Sequence, residues 1–143
     1  WDEGRLPTEA EWNYAASGGS EHRYYPWSDP ATSTTIDDSY AVYCGGTCGG
    51  ISNVGSKSPK GDGKWGHSDL AGSMWEWVLD LYADPYSILP CNDCADVTVG
   101  YARVARGGYF DGLESGLRSA NRENNDPVFR GSGIGARCAR SAP

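Results

Sequence analysis

The sequence predicts a loop-rich α+β domain with one or two helices and a few short strands, and three observations predict it. Glycine and proline are abundant, at 20 and 8 of 143 residues, and both interrupt regular elements. Large planar side chains carry the apolar load, with 6 Trp and 9 Tyr against 2 Phe and 1 Met, so the core must be assembled from few bulky groups. Apolar periodicity persists only over short windows. With 38% hydrophobic residues the chain can bury one core, and residues 1–143 are expected to form a single domain.

In chain order, Thr8 and Glu11 make a capping box after Pro7, and Trp12, Ala15 and Ala16 fall on one helical face. A helix is therefore expected from about Thr8 to Ala16, ending at Ser17-Gly18-Gly19, where glycine supplies a left-handed cap. Glu9 and Glu11 suit the positive end of its dipole. From Tyr24 to Gly63, aromatic islands such as Tyr24-Tyr25-Pro26-Trp27 alternate with polar stretches such as Ala31–Thr35. No period persists there, and the tyrosines argue for ordered loop. Met74–Leu79 reads as a strand, and its Trp75-Glu76-Trp77 as a buried aromatic platform with one placed carboxylate. Tyr101–Arg106 reads as a second strand with Val104 inward, and Gly135–Ala139 as a third. Gly108–Gly133, polar and broken by Pro127, reads as loop.

A net charge of −7, with no basic run, excludes a nucleic-acid partner. No stretch reaches the ~20 apolar residues of a membrane-spanning helix. Only His22 and His67 are present, so a three-histidine metal site cannot be built, and each reads as a surface residue. No nucleophile elbow occurs, since Gly131-Ser132-Gly133 is one residue too tight. Of the five cysteines, Cys44 and Cys48 form one close pair, Cys91 and Cys94 another, and Cys138 stands alone. Such pairs serve as zinc ligands, local disulfides or redox dithiols. Their unequal spacing in Gly-rich and Pro-flanked loops favours two short disulfides over a joint zinc site, and an oxidising, extracytoplasmic compartment.

Arg5-Leu6-Pro7-Thr8-Glu9-Ala10-Glu11-Trp12, Gly61–Trp77 and Arg103-Val104-Ala105-Arg106-Gly107-Gly108 together resemble the C-terminal half of the formylglycine-generating enzyme (sulfatase-modifying factor) family. The resemblance implies a C-type-lectin-like fold. It also implies that Trp1-Asp2-Glu3-Gly4 lies in mid-domain, with an N-terminal part missing. In that part would lie the partner of Cys138, which matches the cysteine of the family's closing Gly-Phe-Arg-Cys-Ala string. The family's oxidases bind copper through two cysteines in the segment after the Arg-x-x-x-Gly-Gly motif. Here residues 107–120 contain no cysteine, so no catalytic residue and no copper are expected. A soft thiolate pair has no carboxylate or amide substitute for Cu(I).

What the resemblance does imply is a structural Ca²⁺ held by the side chains of Asp69 and Glu76 and the carbonyls of Gly72 and Met74, a hard-oxygen set that suits the ion. It also places a ligand groove near Tyr109, Phe110, Asp111, Glu114, Arg118, Asn121, Arg122, Asn124, Asn125 and Phe129. Planar polar groups and aromatics there suit an unidentified protein, peptide or glycan. Arg118 and Arg122 have a framework reading as well, paired with acids such as Asp126. The expected function is a non-catalytic, calcium-stabilised ligand-binding or assembly protein. One alternative is an oxidase or non-haem metal enzyme whose site the N-terminal part completes. Another is a lectin-like variable protein of a diversity-generating retroelement, which shares the Arg-Gly-Gly, Arg-Ser-Ala-Asn-Arg and Ile-Gly-x-Arg framework.

Overall fold

The computed structural model describes residues 4–45, 48–84, 95–98 and 100–140. Helix α1 spans Glu9–Ser17, and both halves of the capping box form: Thr8 Oγ1 accepts from Glu11 N, and Glu11 accepts from Thr8 N. Gly18, at φ 68°, closes the helix in the left-handed conformation. A 3-10 turn, Gly19–Glu21, follows at once.

Four short strands make one mixed sheet: β1 (Trp75–Leu81), β2 (Arg103–Arg106), β3 (Glu123–Asn125) and β4 (Ile134–Ala136), in the order β3-β2-β1-β4. β1 runs antiparallel to β2, with Trp77 opposite Ala105, and parallel to β4, with Glu76 opposite Gly135. Three strands thus fall where the pattern placed them, with shifted ends. β4 is shorter than Gly135–Ala139, and Ala139 instead exchanges two backbone hydrogen bonds with Arg5. β3 departs from the loop expected over Gly108–Gly133. Its Glu-Asn-Asn sequence carries no apolar alternation, because it is an edge strand held by pairing to β2. The same segment holds a second 3-10 turn, Glu114–Leu117.

Two clusters form the core. One fills the gap between α1 and the sheet with Trp12, Ala16, Leu70, Val78 and Val104. The other lies under the long irregular stretch and contains Tyr25, Trp27, Ala41, Tyr43, Ala71 and Leu117. There Trp27 stacks between Tyr25 and Tyr40, at ring centroids of 5.0 and 5.3 Å. Large rings bury much area per residue, which is how so irregular a chain retains a core. No helix among the described residues is long and apolar enough to cross a membrane.

Candidate functional site

Alternation along β1 separates two environments. Glu76, Val78 and Asp80 point toward α1. Glu76 Oε2 accepts from Trp12 Nε1 at 2.7 Å and Arg137 Nε at 3.0 Å, while Oε1 accepts from Arg137 Nη2 at 2.8 Å. Asp80 accepts from Glu9 N at 2.7 Å and Asp96 N at 3.0 Å, so β1 holds the start of the helix. Burial pushes the Asp80 carboxyl above its ordinary range, and those two backbone donors oppose the shift. Glu9 is more than a dipole-matching acid. Its side chain is 4% exposed and meets the Arg122 guanidinium through two hydrogen bonds, with Arg106 Nε at 3.6 Å. Arg122 is thereby tied to Glu9 rather than to Asp126, whose carboxylate accepts from Val128 N.

Trp75, Trp77 and Leu79 point the other way. The tryptophans are half-buried, not buried as the motif suggested. Trp75 lies 6.4 Å from the Tyr109 ring, and Tyr109 meets Phe110 edge-on at 5.7 Å. Beside them opens a cleft of about 460 Å³ walled by Trp75, Tyr109, Glu123, Asn125, Phe129 and residues 131–134. A neighbouring cleft of about 680 Å³ is walled by Leu6, Trp77, Leu79, Arg103, Pro127, Phe129, Arg130, Gly131 and Ile134. Phe129, 47% exposed, belongs to both.

Of the expected ligand residues, the structure thus brings Tyr109, Asn125 and Phe129 into one cleft, with Phe110 packed behind Tyr109. Asn124 is exposed on β3, one residue from the cleft-lining Glu123 and Asn125. Arg118 is exposed and donates to Ser115 O. Asn121 gives its carbonyl to Arg106. Glu114 is exposed at its side chain, and its carbonyl accepts from Tyr25 Oη. Asp111 sits instead beside Cys44 and Cys48. Trp75, Glu123 and the 131–134 turn were not foreseen as lining. The period of two within Trp75–Leu79 was the available signal for the tryptophan, whereas the turn arrives through the parallel β1–β4 pairing, a long-range contact.

The calcium segment is bent sharply, with Asp69, Gly72 and Ser73 at φ 58°, 80° and 64°. A carboxylate offers about four lone-pair directions. Three are taken on Glu76, leaving one on Oε1. Asp69 Oδ2 accepts from Gly55 N, and its Oδ1 has no donor among the described residues. Gly72 O accepts from Met74 N at 2.8 Å, which leaves one of its two lone-pair directions; oxygen is the donor type that a hard cation takes.

Cys44 and Cys48 form a disulfide, as expected. Cys91 and Cys94 lie outside the described residues. Cys138 is exposed and has no disulfide partner among the described residues. His22 and His67 are both exposed.

The family described as "Sulfatase-modifying factor enzyme 1-like domain" matches residues 1–142. The formylglycine-generating enzyme of Streptomyces coelicolor is 35% identical over 99% of this chain and 48% of its own length. Among solved structures, PvdO from Pseudomonas aeruginosa superposes with a TM-score of 0.80 at 29% identity, covering 96% of this chain and 52% of that one. Treponema denticola variable protein 1 does so with a TM-score of 0.76 at 30% identity, over 94% and 46%. The chain spans about half the length of these relatives.

Proposed function

The chain belongs to the sulfatase-modifying factor enzyme 1-like domain family, and from that premise we propose that it is a non-catalytic, ligand-binding member stabilised by Ca²⁺. One observation carries the reading. The segment that holds the copper cysteines in the resembled oxidases contains none here, while the adjoining sheet face presents an open aromatic cleft between Trp75, Tyr109 and Phe129.

Rings anchor a ligand at low entropic cost, and Glu123 and Asn125 add hydrogen bonding at the rim. That chemistry suits a protein, peptide or glycan. Asp69, Gly72, Met74 and Glu76 hold the calcium, which ties the turn before β1 to the strand that carries Trp75. The Cys44–Cys48 disulfide supports an extracytoplasmic location.

The test is an array of glycans and peptides probed with the protein and with Phe129→Ala. A ligand bound by the first and lost from the second supports the reading. Oxygen consumption with a cysteine-bearing peptide overturns it in favour of an oxidase. Calcium is tested separately, by melting in chelator and in excess Ca²⁺. At one hundred times its Kd the ion should add about 2.7 kcal/mol, and Glu76→Gln should abolish that increment. Coincident melting curves for the unmutated chain would remove the ion from the proposal.

A further inference from the structure

Away from the aromatic cleft, the fold joins two loops that the sequence keeps more than sixty residues apart. Cys44 N donates to Gly112 O at 2.9 Å, fastening the cysteine loop to the turn that carries Asp111. That turn is itself pinned, by Phe110 N to Ser73 O at 3.1 Å and by Gly112 N to Tyr109 O at 3.0 Å. As a result the sulfurs of Cys44 and Cys48 and a carboxylate oxygen of Asp111 all lie within 4.8 Å of one another. Among the described residues no other trio of His, Cys, Asp or Glu does so. Cys44 is half-buried, and Cys48 and Asp111 are exposed, so the trio is anchored on one side and open to solvent on the other.

We propose that Cys44, Cys48 and Asp111 form a redox-gated site for a zinc-class divalent cation, closed while the disulfide stands and opened by its reduction. Three features select that class of ion. The Cys-x₃-Cys spacing falls within the range used by zinc sites. Tetrahedral zinc with Zn–S near 2.3 Å needs its sulfurs about 3.8 Å apart, so the two sulfurs, bonded to each other here, must part once the disulfide is reduced, while Asp111 already lies within reach of both. Mixed thiolate and carboxylate donors suit zinc, whereas Cu(I) prefers soft donors to a carboxylate and Ca²⁺ takes oxygen alone. Three protein ligands leave a fourth position for water or for a ligand atom.

The gating balances. A dithiol reductant gives two electrons and two protons, its own S–S bond forms, the Cys44–Cys48 bond breaks, and both cysteines become thiols. The cation then displaces the two thiol protons and is held by two thiolates and one carboxylate. The ion thereby traps the reduced state and opposes re-oxidation.

None of this rests on the ligand-binding reading, so the two can fail separately. The full chain is reduced with a phosphine, freed of reductant without oxygen, and alkylated with and without Zn²⁺; each cysteine is followed by peptide mass spectrometry. Zinc should slow alkylation of Cys44 and Cys48 at least tenfold, and Asp111→Asn should remove most of that protection while leaving both thiols reactive. Co²⁺ should give a thiolate charge-transfer band in the reduced chain and none in the unreduced chain. Equal alkylation of Cys44 and Cys48 with and without zinc overturns the proposal. So does protection confined to Cys91, Cys94 or Cys138, or protection that Asp111→Asn leaves intact.

Discussion

The two faces of β1 differ although one seven-residue strand builds both. On the helix side, Glu76, Val78 and Asp80 meet Trp12, Arg137, Glu9 and Asp96, and their polar atoms have named partners at fixed distances. On the other side, Trp75, Trp77 and Leu79 line clefts, and the Tyr109 and Phe110 rings beside them make ring and packing contacts. Directional bonds allow one arrangement, while stacking and open volume tolerate several. The first face holds the fold together. The second leaves open clefts, which the proposed ligand would occupy, so on that reading a motif shared across a family can be framework at one residue and binding surface at the next.

That division predicts unequal costs. The largest belongs to Glu9, because its carboxylate lies between two guanidinium groups and is 4% exposed. Breaking a buried pair by removing one partner costs about 3–5 kcal/mol. Glu9→Gln should lose a comparable amount in urea unfolding at constant m-value. A loss below about 1 kcal/mol would mean that the helix-side face is held by packing rather than by its ions.

A smaller and pH-specific effect is expected at the helix start. The Arg5 guanidinium beside Glu11 draws its carboxyl down from 4.5 to about 2, against a burial effect that raises it, and Thr8 N adds to the lowering. A carboxyl held low in the folded state contributes stability that is complete above its unfolded value near 4.5 and vanishes as pH falls through about 2. Asp80 acts in the opposite sense. Its raised value means that the folded state takes up the proton first, so acidification relieves it. Thermal melts between pH 5 and pH 2 should therefore fall for the unmodified chain and fall less for Glu11→Gln. Parallel profiles would show that the Arg5–Glu11 contact, whose two side chains are 38% and 36% exposed, is screened into irrelevance.

How far these faces were legible in the sequence depends on whether the cause was local. The capping box at Thr8 and Glu11, the glycine stop at Gly18 and the inward Val104 each follow from a few neighbouring residues, and each was readable. Strand β3 was not, because Glu123, Asn124 and Asn125 owe their conformation to β2 and to no propensity of their own. For the same reason Glu9 read as a dipole partner. Its second role depends on Arg122, which is 113 residues away in the chain. The aromatic cleft was half legible: Tyr109, Asn125 and Phe129 were singled out, whereas Trp75 was assigned to a buried platform when alternation alone left its burial open. Calcium stays a proposal that rests on donor chemistry and resemblance.

The smallest stability effect should come from the open face, and it bears most directly on the contrast between the two. Phe129 is 47% exposed, and its ring lies against Gly131 and lines the two clefts. Substitutions at such positions usually change stability by no more than about 0.5 kcal/mol, so Phe129→Ala should unfold almost with the unmutated chain. A loss above about 2 kcal/mol would be the cost of a core residue, and the clefts would then be gaps between packed elements rather than a surface kept open. Near-equal unfolding with ligand affinity lowered tenfold or more would separate binding from folding on opposite sides of a single strand, because a residue that stabilises through packing cannot lose its ring at no cost to the fold.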